Sequence, residues 1–162
     1  MTRDADRSVV YAAEQLVRAM VERAGTSRTV QIAGAELTLP PEARFSSVDA
    51  VRRYVDDVLA LPSVCESFPQ AQRPVTVRRR RGSTAAHYER DGGVIAVPES
   101  VDGSWAMREL VVLHEIAHHL DPVGAPAHGR GFVDTLIELV GLVLGPETAL
   151  VYRVVFGDSG LL

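Results

Sequence analysis

The chain has 162 residues, of which 46% are hydrophobic and 23% charged, enough and ordinary enough for one folded domain with a real core. A formal net charge of −4 argues against a protein built to lie on nucleic acid or an anionic membrane. The single cysteine, Cys65, excludes an intramolecular disulfide and a thiolate zinc cage, so any metal must be held by histidine and carboxylate.

Acidic residues interrupt the N-terminal "MTRDADRSVVYAAEQLVRAM" and no long apolar run follows it. Neither a signal peptide nor a membrane span is expected, and the cytoplasm is the expected compartment. Val9, Ala13, Leu16, Val17 and Met20 recur at helical spacing, which predicts a helix over about 5–24, ended by Gly25. "TVQIAGAELTLP" alternates around Ala33-Gly34 and predicts a short hairpin or a bulged strand. Ser46 or Ser47 is placed to cap a helix carrying Val48, Val51, Val55, Val58 and Leu59, which Pro62 stops.

Residues 62–74, rich in proline and polar side chains, read as a linker. "VTVRRRRGSTAAHYERDGGVIAVP" reads as strands, with a two-residue hairpin turn at Asp91-Gly92. A long helical pattern follows Ser104 and runs through Asp121. Pro122, Gly124 and Pro126 forbid its continuation. A further helix is predicted from about Gly129 to Leu144, with Phe132, Val133, Leu136, Ile137 and Val140 on one face. Gly145-Pro146 separates it from a last helix carrying Leu150, Val151, Val154 and Val155.

Four of the five histidines fall within "LHEIAHHLDPVGAPAHGRGF", Leu113 to Phe132. On a helix His114 and His118, at i and i+4, share one face with Cβ atoms ~5–6 Å apart. Their imidazoles can converge on one ion, and Glu115, one residue round, can act as base toward a water that the metal acidifies. Leu110, Leu113, Ala117 and Leu120 form the opposite stripe and are expected to face the core, apart from the ligand face. For a third ligand His119 points ~100° away. Asp121 is on the correct face but abuts Pro122. His128 follows a six-residue loop, 122–127, long enough to swing back over the ion. His128 is the favoured ligand. Asp121 is kept as the alternative, or as a carboxylate orienting a ligand imidazole.

The HExxH of His114–His118, followed by His128, Gly129 and Phe132 as "HGxxF", resembles the zincin metallopeptidases, most closely the SprT-like and minigluzincin-like groups. It also resembles a set of small, uncharacterised bacterial HExxH metallohydrolases of about this length. The likeness covers roughly residues 84–133. It is not metzincin-like: nine residues separate His118 from His128, against roughly five in metzincins, and no methionine follows. The resemblance implies Zn²⁺ on His114, His118 and His128, with Glu115 as the catalytic base. It also implies an edge strand, "AAHYER" or "VIAVP", that pairs with an extended peptide substrate.

The expectation is therefore one α+β domain. A small, mostly antiparallel sheet packs on the HExxH helix; residues 1–61 form an N-terminal helical portion with a short hairpin, and 75–162 the catalytic core. The expected function is zinc-dependent peptide hydrolysis on a peptide or protein substrate. The rivals are a non-catalytic zinc-binding module on a zincin scaffold and a nucleic-acid-associated SprT-like protease. Tyr152 and Arg130 are candidate donors to the transition state, against plain structural roles. His119 is expected at the surface or beside a ligand, His87 on a strand surface, and Cys65 in the core. The run Arg78–Arg81 is expected to be a solvated strand end rather than a phosphate contact.

Overall fold

The computed structural model describes residues 4–99 and 106–162. Among them are six α-helices, a two-stranded sheet and a three-stranded sheet, so the class is α+β. The chain divides into two compact units: one made of the chain up to Pro41 with Val123–Leu162, the other of Glu42–Pro122.

In the first unit, α1 (Arg7–Ala24) buries Val10, Ala13, Glu14 and Val17, an i, i+3, i+4, i+7 face. That face is turned one residue from the expected stripe, and Leu16 is exposed. β1 (Thr29–Ile32) and β2 (Ala35–Thr38) form an antiparallel hairpin in which Ile32 faces Ala35. Its two turn residues, Ala33 (φ 48°) and Gly34 (φ 78°), both take the positive φ that a tight hairpin turn needs. α5 (Arg130–Leu144) ends at Gly145, and Pro146 opens α6 (Pro146–Asp158). The two helices pack on each other and α6 packs on α1. Their core includes Phe132, Leu136, Val140, Val151 and Phe156.

In the second unit, α2 (Val48–Ala60) is capped by Ser47, whose side chain accepts from Ala50 N at 3.1 Å. Residues 62–74 are not a linker. Pro62 opens α3 (Pro62–Ser67), and a 3₁₀ turn follows at Pro69–Gln72. Val64, Phe68 and Ala71 are buried. These three recur at i, i+4 and i+7, an apolar face that the interspersed prolines and polar residues hide in the sequence.

The three-stranded sheet has the order β3-β5-β4, with β3 (Thr76–Arg79), β4 (His87–Glu89) and β5 (Val94–Val97). β4 is antiparallel to β5, but β3 is parallel to it, so this sheet is mixed rather than uniformly antiparallel. The β4–β5 turn is four residues long, 90–93, because Glu89 pairs with Val94. Gly93 O accepts from Thr76 N at 2.8 Å, which draws the extra residues toward β3. β5 is the central strand and its Ile95, Ala96 and Val97 are fully buried. Of the two segments expected at a sheet edge, "VIAV" is therefore internal and β4 is the edge.

The helix bearing HExxH is α4, Glu109–Leu120. It starts later than the pattern after Ser104 suggests; Ser104 itself lies outside the described residues. All twelve of its residues are buried, so its ligand face is covered as well as its apolar stripe.

Candidate metal centre

α4 is fixed at both ends by side chains from distant sequence. Its N-terminus has no capping side chain of its own. Glu42 supplies one, accepting from Leu110 N at 3.2 Å. The same carboxylate takes Arg108 in a two-pronged, almost fully buried pair at 2.7 and 2.5 Å. Glu109 accepts from Ala43 N at 3.0 Å and from the Tyr54 hydroxyl at 2.5 Å. Burial first, then the bond to the Glu109 carboxylate, holds the Tyr54 phenol far above its ordinary pKa.

At the other end Arg90, in the β4–β5 turn, donates to His118 O at 3.0 Å and to Asp121 O at 3.3 Å. The first is a carbonyl of the last turn of α4 and the second belongs to the boundary residue that follows it. One guanidinium thus fixes the helix end that carries His118. The Tyr88 ring on β4 lies parallel to the His118 ring, 4° apart in plane at a centroid distance of 6.3 Å.

On α4 the Nε2 atoms of His114 and His118 face each other at 3.1 Å, with ring planes 75° apart. Two nitrogens each ~2.0–2.1 Å from one tetrahedral ion stand about 3.3 Å apart, so this spacing suits a shared zinc. His114, Glu115 and His118 are 2%, 4% and 8% exposed.

His119 is not at the surface: it is fully buried, and it is not a member of the histidine cluster described below. Its Nε2 donates to Arg73 O at 3.2 Å, and a carbonyl can only accept, so Nδ1 is the acceptor that receives the Tyr88 hydroxyl at 2.9 Å. Burial pushes the His119 pKa down and outweighs the opposing bond to Arg73 O, while the neighbouring charges of Arg73 and Arg90 add to the lowering. A neutral imidazole tying α4 to the sheet and the 3₁₀ turn is the result.

His128 sits just ahead of α5, whose first turn is opened by Gly129. Three groups of its own unit hold the ring. Phe132 meets it edge-on at a centroid distance of 5.2 Å, and Tyr11 on α1 lies at 5.3 Å. Asp4 contacts it twice: Oδ2 accepts from Nδ1 at 2.7 Å and Oδ1 from the backbone N at 3.2 Å. Gly129 is required by close approach, since a Cβ there would lie 2.8 Å from Pro126 Cγ. The "HGxxF" pattern thus has a physical content: a glycine that lets the loop fold onto Pro126, and a phenylalanine that walls the imidazole.

His114, His118 and His128 each offer a ring nitrogen, and these atoms all lie within 4.8 Å of one another. Three buried histidines are therefore close enough to bind a metal ion. With Nδ1 of His128 engaged by Asp4, Nε2 is the atom of that ring suited to ligation, and the donor set is one that zinc accepts.

The remaining candidates lie as follows. Asp121 is the C-terminal boundary residue of α4, 1% exposed, and is not a member of that group. Tyr152 is fully buried on α6, its ring beside Phe156 at 5.5 Å. Arg130 is exposed and pairs with Asp134 at 2.8 Å along α5. His87 is half-buried on β4 and bonds Glu89 at 2.8 Å. Cys65 is half-buried, with Sγ 3.1 Å from Leu59 O. In the arginine run, Arg78 pairs with Glu89 across the sheet and Arg80 donates to Ala85 O at 2.7 Å; Arg79 and Arg81 are exposed. Asp4 is a residue of the site region that the sequence does not announce. It is 124 residues from its partner, and an acidic residue ahead of a helix reads as a cap.

No helix of the described residues is long and apolar enough to cross a membrane. No family model matches the chain, and neither a curated protein nor a solved structure matches it.

Proposed function

We propose that this protein is a zinc-dependent hydrolase of peptide bonds, built on a zincin-type arrangement. The observation that carries the reading is the cluster of three buried imidazoles, two of them on the helix that also bears Glu115. The edge position of β4 in the sheet that precedes that helix in sequence adds support, because an extended peptide can extend a sheet at its edge strand.

His114, His118 and His128 would hold the ion, which supplies a Lewis acid that lowers the pKa of water toward ~7 and polarises a carbonyl. Glu115 follows His114 by one residue, ~100° round the helix. It takes the proton of the attacking water and hands it to the leaving amine, so that one water and one peptide bond give a carboxyl group and an amine. Arg90 and Glu42 keep the helix from moving while this occurs.

The test is cleavage of an unfolded protein and a peptide library by zinc-loaded protein, with Glu115→Gln as the control. The variant should keep its zinc and lose cleavage by roughly 10²–10⁴-fold. A second reading, a non-catalytic zinc module, is favoured by the burial of Glu115 at 4% exposure, since a base must be reached by its substrate. Zinc-loaded protein that cleaves nothing, with Glu115→Gln indistinguishable from it, would replace the first reading by the second.

A further inference from the structure

We infer that Asp4 is the positioning residue for the His128 imidazole, fixing both its tautomer and its direction; its bearing on the metal rests on the zinc-site reading above. The geometry is specific. One carboxylate holds the residue at two points, Oδ2 on Nδ1 at 2.7 Å and Oδ1 on the backbone N at 3.2 Å. A carboxylate only accepts, so the proton of a neutral imidazole must sit on Nδ1, and the lone pair must be on Nε2. The second bond ties the carboxylate to the backbone of His128 itself, so the group that holds the ring is fixed relative to the point from which the ring hangs.

The surroundings agree with this role. The His128 side chain is 7% exposed and that of Asp4 27%, so the bond is poorly accessible to competing water. Tyr11 and Phe132 restrict the ring from two other directions. Their contacts are apolar and can block rotation but cannot choose which nitrogen is protonated. Asp4 alone of these three groups can. His114 and His118 are presented by one rigid helix, whereas His128 stands at the end of a loop. The loop ligand is the one that most needs a partner to pre-set it.

The experiment compares wild type with Asp4→Asn and Asp4→Ala. Nitrogen NMR of the imidazoles in metal-free protein reads the tautomer. Zinc affinity by chelator competition and the visible spectrum of the cobalt-loaded protein read the consequence. Wild-type His128 should show the Nδ1–H form, and Asp4→Ala should give a mixture of tautomers. Zinc affinity should fall by roughly 10–100-fold in Asp4→Ala and less in Asp4→Asn, with an altered cobalt spectrum. If Asp4→Ala does not fold by circular dichroism, Asp4→Asn, which keeps the shape and loses the charge, decides the matter. Wild-type tautomer, affinity and spectrum in a folded variant overturn the role of Asp4 and leave the zinc reading standing. A wild type that binds no zinc overturns the zinc reading and the metal-directed role of Asp4 together.

Discussion

Arg90 reaches from the β4–β5 turn to the carbonyl of His118 at 3.0 Å. It ties the last turn of α4, and with it one ring of the histidine cluster, to the sheet of its own unit. Its second bond, to Asp121 O at 3.3 Å, means that both carbonyls depend on a single fork-shaped donor.

Replacing Arg90 by Met should therefore destabilise the protein by about 1.5–3 kcal/mol, the usual range for hydrogen bonds to a charged group. Arg90→Lys should recover only part of this, since an ammonium is a point donor rather than a fork. Urea unfolding followed by circular dichroism measures it. An unchanged midpoint for Arg90→Met would show that α4 does not need this anchor.

Tyr54 gives a prediction in the alkaline range. The chain has no lysine, so between pH 9 and 12 few groups besides tyrosines titrate. The Tyr54 phenol is raised by burial and by Glu109. A raised pKa means that the folded state keeps its proton after the unfolded state, near ~10, has lost it. The stability that Tyr54 contributes is thus complete below pH ~10 and declines as pH rises above it. Tyr54→Phe should cost about 1–2 kcal/mol at neutral pH and flatten the alkaline decline. A variant whose pH profile runs parallel to wild type would contradict the assignment. Tyr88, raised by burial in the same direction, should leave a residual slope.

Gly129→Ala tests the "HGxxF" pattern. The new Cβ would sit 2.8 Å from Pro126 Cγ and 3.2 Å from Pro126 O, and a proline ring cannot swing aside. The loop must shift, and the adjacent His128 with it. Zinc affinity should fall by about tenfold or more, with a stability loss of about 1–3 kcal/mol from overpacking. Full zinc affinity in Gly129→Ala would show that the glycine serves some other purpose.

The sequence made the local pattern legible. HExxH fixes two imidazoles on one helix face by periodicity alone, and Gly145-Pro146 marks a helix break that the backbone obeys. The α3 face escaped because Pro62, Pro69 and the polar residues between them mask the spacing of Val64, Phe68 and Ala71. The parallel β3–β5 ladder escaped because strand order is a long-range property, invisible to alternation within each strand. Two partners of the site region, Asp4 on His128 and Glu42 at the start of α4, lie 124 and 68 residues from what they hold. No local signal reports such pairs. Of the two places open to His119, the surface is excluded for a related reason: a polar ring is buried only if it finds partners, and those partners, Tyr88 and Arg73 O, come from other elements.

The most direct measurement is the zinc content of the purified protein and of its single-histidine variants, by elemental analysis after removal of loosely held metal. Wild type should hold one zinc per chain, and zinc should be largely lost in His114→Ala, His118→Ala and His128→Ala and retained in His119→Ala and Asp121→Asn. Wild type that takes up no zinc, or His128→Ala that holds zinc as tightly as wild type, would contradict the three-histidine zinc site.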